Sequence, residues 1–142
     1  MTQHTDHLGP IDFGVIEFDG NNFDGRIAAA LIDLIAAGTI RIIDLAVVTK
    51  DEAGDVAILE IEDVEEAGPL KALTEFIADI ISEEDLIEMA AILEPNTTAL
   101  LAVWENCWAL ELAHAIRSSG GQMVASGRLP AEEIAAALEA SA

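Results

Sequence analysis

Basic residues are nearly missing from this chain: Lys and Arg number 6 against 27 Asp and Glu, leaving a formal net charge of -21 at pH 7. A surface of that sign repels nucleic acid and anionic lipid, which excludes both as partners, while it admits cations or a basic protein. Cysteine is almost absent as well. Cys107 stands alone, so no internal disulfide forms and the chain suits a reducing compartment. Long apolar runs are lacking too. Hydrophobic residues make up 52% of the chain, yet Asp33 and Arg41 interrupt its most apolar region, residues 27–48. No stretch of about 18 uncharged apolar residues is left to cross a bilayer. The opening MTQHTDHLGP has neither the basic nor the apolar region of a secretory signal. These absences predict a cytoplasmic protein without membrane or nucleic-acid partners. With 142 residues the chain can bury a core without metal or disulfide. It divides into a polar, flexible arm over 1–9 and a single domain over 10–142.

What is present alternates between strand and helix. Residues 11–18, IDFGVIEF, are apolar at Ile11, Phe13 and Val15 and again at Ile16 and Phe18, the pattern of a central strand covered on both faces. Gly14 in its middle marks a bulge or a close approach by another element. Residues 19–25 are a turn by composition, with Asp24 placed to cap a helix. In that helix Ile27, Leu31, Leu34 and Ile35 share one face, and Gly38 closes it. Residues 39–50 are β-branched and apolar, and DEAGD at 51–55 joins them to a strand over 56–61 as a hairpin. Residues 62–95 are helical and acidic, broken at Gly68 and Pro69; Leu70, Leu73, Phe76, Ile77 and Ile80 share one face of the first part. Ser82 is the N-cap of the second part, with Asp85 three residues on. A strand over 97–104, a helix over 107–119 ending at Gly120, a short strand over 122–125 and a last helix from Pro130 complete the order.

The first six units read βαββαβ, so the expected fold is α+β: a ferredoxin-like sheet of order 4-1-3-2 with residues 11–18 inside, extended by a further helix, strand and C-terminal helix. A right-handed connection to a strand at 122–125 sets helix 107–119 on the same face as the earlier helices. The other face is then bare and larger than the apolar patch a soluble monomer exposes. The last helix offers mostly alanine, so a second subunit is the expected cover, and a homo-oligomer, at least a dimer, follows.

The residues with chemical potential have structural uses as well. Glu111 and His114 form an E-x-x-H pair, but carboxylate-bridged metal sites need two such motifs and two further glutamates. His4 and His7 lack a third ligand. Cys107 at a helix start has no histidine close in sequence to activate it. The glycines at 20 and 25 fit neither phosphate-binding fingerprint. No catalytic residue, metal ligand or cofactor is assigned. Both tryptophans of an aromatic-poor chain fall at one strand-to-helix corner, so Trp104, Glu105, Asn106 and Trp108 form the candidate contact site. Within it Trp104 is expected to behave as core and Trp108 as the contact.

Four segments carry a resemblance to a known family: GPIDFGVIEFDGNNFDG, GTIRIIDLAVVTKDEAGDV, VWENCWA and GGQMVASGRLP. Taken in order they make the chain similar, end to end, to the small acidic bacterial proteins grouped as domain of unknown function 6325. The resemblance implies no activity and no catalytic residue. The expected function is that of a non-enzymatic, oligomer-forming acidic protein of the bacterial cytoplasm, a stress or scaffold component. The alternative is a small-ligand or cation-binding protein using the acidic surface or the Trp104/Trp108 corner.

Overall fold

Residues 97–106, TTALLAVWEN, have no wet face, and the sheet forms around them. The computed structural model describes residues 8–19, 25–59, 61 and 80–141. Their elements run β1 (Ile11–Asp19), α1 (Gly25–Ala36), β2 (Ile40–Lys50), β3 (Val56–Leu59), α2 (Glu83–Ala90), β4 (Thr97–Asn106), a 3-10 turn (Cys107–Ala109), α3 (Leu110–Ser118) and α4 (Ala131–Ser141). The turn read at 19–25, the first part of the acidic helical region, and His4 and His7 lie wholly or mostly outside the described residues.

The chain is a mixed helix and strand protein whose four-stranded sheet has the order β1-β4-β2-β3, every neighbouring pair antiparallel. The 4-1-3-2 order expected from the sequence is thereby corrected: β1 is an edge strand of this sheet, and β4 enters the gap between β1 and β2. Length and apolarity account for this. β3 pairs with β2 only from Val47 to Lys50, whereas β4 runs along β1 from Ile11 to Asp19 and along β2 from Ile40 to Lys50. Only a strand buried along nearly its whole length, as β4 is, fits a central place. β1 accordingly shows Ile11, Phe13 and Ile16 to solvent, with Phe13 68% exposed.

The two faces of the sheet carry separate cores. On one, Leu100 and Ala102 of β4 meet Leu45 and Val47 of β2 and Ala28 of α1, flanked by Ile27, Leu31 and Ile35. On the other, Ala99 and Leu101 meet Val48, Leu86 and Ala90, so α2 lies opposite α1. The bare sheet face expected from the sequence is therefore corrected as well: helices cover both faces. The βαββαβ order sets the two acidic helical segments of 62–95 on the same face as α1, whereas α2, the second of them, lies on the far side. The strand expected at 122–125 is also not formed; residues 121–130 have no regular structure.

Local chemistry fixes the helix ends. Ser82 caps α2, its Oγ accepting from the Asp85 N–H at 3.1 Å, and Ile81 and Leu86, either side of the cap, share one core in the manner of a hydrophobic staple. Asp44, buried beside a β-bulge between Ile42 and Asp44, accepts from the N–H groups of Leu45 and Ile81. Past the other end of α2, Lys50 Nζ donates to the carbonyls of Ala90 at 3.3 Å and Leu93 at 3.1 Å, a cation set at the C-terminal end of the helix, where the dipole is negative. Lys50→Met keeps the stem and removes the donors; we expect a loss of about 1 kcal/mol, read as a lowered urea midpoint with an unchanged slope. Gly38 (φ 74) ends α1 in a Schellman turn, with Gly38 N bonded to Ile35 O and Thr39 N to Leu34 O, both at 3.0 Å.

Candidate functional site

The end of β4 gathers side chains from four parts of the chain. Asn106 is buried and uses its whole amide. Its Oδ1 accepts from the indole N–H of Trp104 at 3.2 Å and of Trp108 at 3.3 Å. Its Nδ2 donates to Pro10 O at 3.1 Å and Asp12 Oδ2 at 2.9 Å. The amide has two donors and two acceptor positions, so it is fully satisfied. The Asn106 backbone N–H adds a 2.7 Å bond to Pro10 O.

Glu105 points to the opposite face of the strand. Its Oε2 accepts from the Gly9 N–H at 2.7 Å and its Oε1 from Arg41 Nε at 2.8 Å. Burial alone pushes this carboxyl up, but the Gly9 N–H and the Arg41 guanidinium together outweigh it and hold the pKa below its ordinary value. Gly9 is required where it lies, because a Cβ there would stand 2.5 Å from the Asn106 carbonyl oxygen. Glu105, Asn106 and the chain before β1 thus form one buried tie between the start and the end of the sheet.

The two tryptophans differ in setting. Trp104 lies partly buried against the core on the α1 side, its ring 3.3 Å from the position a Cβ on Gly14 would take. This is the close approach that an interior glycine signals. A ring laid across an edge-strand glycine covers backbone that would otherwise be wet. Trp108 is 66% exposed and is held by its bond to Asn106 and by its backbone N–H, which donates to Thr39 O at 3.2 Å.

Trp108 stands in the wall of an open apolar groove of about 540 Å³, between residues 8–11 and α3, with Leu8, Pro10, Ile11, Leu112 and Ile116 beside it. Arg117 is the charged residue of that wall, and Gly121, Gln122 and Met123 form part of its rim. The four candidate residues are therefore brought to one corner, with Trp108 turned to the groove. Sequence reading missed Gly9, Pro10, Asp12 and Arg41. Nothing local in the sequence marks them, because each is defined by a partner far along the chain.

Other candidates have ordinary surroundings. Glu111 and His114 are both exposed on α3, and no group of three or more His, Cys, Asp or Glu among the described residues could hold a metal ion. Burial pushes the Cys107 thiol up, with the Glu105 charge adding to it against weaker opposition from Arg41 and the backbone, so the thiolate needed of a nucleophile is disfavoured. Among the described residues no helix is long and apolar enough to cross a membrane.

Residues 7–142 match a family described as "Family of unknown function (DUF6325)". No curated protein and no solved structure matches the chain.

Proposed function

We propose that this chain, which belongs to the DUF6325 family, is a non-enzymatic, self-associating protein of the bacterial cytoplasm with a structural role. One observation carries the reading. Large apolar side chains are exposed at the groove and in the segment that follows α3: Trp108 and Leu112, then Met123, Val124 and Leu129, then Ile134 and Leu138. A soluble chain normally covers a surface of that kind with a partner. The corner itself is built from satisfied hydrogen bonds and one ion pair, an arrangement suited to holding shape.

Sedimentation velocity at micromolar concentration and moderate salt tests this. The expected species is at least twice the chain mass of 15.0 kDa, and a single boundary at 15.0 kDa removes the reading. The groove supports a second one: its volume and apolar wall suit a small apolar ligand, with Trp108 as a stacking surface. Native mass spectrometry separates the two, since a bound ligand adds its own mass to the chain whereas association multiplies it.

A further inference from the structure

We infer that residues 124–141 of one chain dock in the apolar groove between residues 8–11 and α3 of a second copy, and that this exchange is the contact through which the protein assembles. The inference rests on the self-association reading and specifies its geometry.

The chain holds both halves of such a contact. Residues 121–141 are exposed throughout, and α4 has no buried residue although Ile134 and Leu138 fall on one side of it. An amphipathic helix with no cover for its apolar side belongs against another surface. Val124, in the part of the arm without regular structure, is 88% exposed. The groove is apolar, open and wide enough to take such side chains. Trp108 is fixed in its wall by Asn106, so little conformational freedom is lost there on docking.

Geometry sends the arm outwards. α3 ends in a Schellman turn, with Gly120 at φ 82, Gly120 N bonded to Arg117 O, and Gly121 N bonded to Ile116 O at 2.8 Å. The arm starts at the rim of its own groove, which Gly121, Gln122 and Met123 help to line, and leaves Val124 and Leu129 after them exposed. A second copy presents the same groove and arm, so two equivalent contacts close a dimer. Residues 122–125, strand-like in sequence, then come beside the outer edge of β1; neither has a strand partner among the described residues. That edge offers main-chain pairing.

Charge supports the same place. In a chain of net charge -21, residues 112–131 contain no Asp or Glu and include Arg117 and Arg128. Two copies meeting through the part of α3 after Glu111 and the first half of the arm therefore bring no carboxylates of these segments together, which most of the acidic chain cannot do.

Two full-length variants test the exchange: Leu112→Glu in the groove, and Val124→Glu with Leu129→Glu in the arm. All three positions are exposed, so folding is expected to survive, with far-ultraviolet circular dichroism and urea midpoint as the check. Each variant alone should sediment at 15.0 kDa. An equimolar mixture should recover a two-chain species, because one variant keeps its arm and the other its groove, and Trp108 emission should shift to the blue as that species forms. Assembly of both variants as in the unaltered chain overturns the exchange and leaves self-association standing. A monomeric unaltered chain ends both readings, and so does a blue emission that the arm substitutions abolish without any change in mass, since the arm then fills its own groove. Failure of the mixture to recover also overturns the exchange.

Discussion

Glu105→Gln should lower the stability of the protein by about 3 kcal/mol, one of the two largest effects expected of a single substitution here. The carboxylate is buried, with 5% of its side chain exposed against 58% for Arg41, and each oxygen receives a separate donor. Glutamine keeps the shape but supplies one acceptor and one donor. Its NH₂ must then face either the Gly9 N–H or the Arg41 guanidinium, donor against donor. Arg41 is solvated enough to recover part of its loss in water, which sets the effect at the lower end of what breaking a buried pair costs.

The pH dependence follows from the same contacts. The folded pKa of Glu105 lies below the ordinary 4.5, so the stability contributed by ionisation is complete above the unfolded value and is lost as pH falls through the folded one. The difference in unfolding free energy between the native chain and Glu105→Gln should thus be constant near neutrality and shrink below about pH 4.5. Taking the difference cancels the titration of the other acids. Urea unfolding of both proteins between neutral and acid pH measures it, and a difference that stays constant into acid would remove the charged pair as its source.

The features of this corner divide by range along the chain. Ser82 as a cap, Gly38 and Gly120 as helix stops, and the apolar runs of β2 and β4 could be read directly, because each depends on neighbours a few residues away. Gly14 could be read as a close approach but not as one made by Trp104, which comes from the opposite strand. The order of the strands could not be read from the βαββαβ succession, which is compatible with more than one way of filling the gap between β1 and β2. The apolar residues on both sides of β1 suggested cover on both sides. They lie instead on an edge strand, since an apolar side chain records a need for cover without naming what supplies it. The unbroken apolarity of residues 97–106 was the available sign that β4, and not β1, takes the centre. The Trp104, Glu105, Asn106 and Trp108 corner was visible as a cluster because the four are consecutive or nearly so. What joins it to Gly9, Pro10, Asp12 and Arg41 arises only once β4 lies between β1 and β2. Register then sets Ile11 opposite Glu105 and Arg41 opposite Glu105 on its other side.

Trp104→Ala and Trp108→Ala should part company, with a loss of about 3 kcal/mol for the first and less than about 0.5 kcal/mol for the second. Trp104 covers Gly14, packs against the core on the α1 side and donates to Asn106. Truncation opens a void over an edge strand that has no side chain of its own to close it. Because the ring is only partly buried, the cost stays near the low end for a core aromatic. It also leaves Asn106 Oδ1 with a single donor. Trp108 loses one hydrogen bond that water can replace, since the indole is largely in solvent. Its removal should instead reduce assembly, lowering the sedimenting mass at concentrations where the native chain associates. Measuring both variants well below the concentration needed for association separates folding from assembly. Equal, large losses there would place Trp108 in the core and withdraw the groove wall as a contact surface; a small loss for Trp104 would mean that Gly14 is covered by something other than its ring.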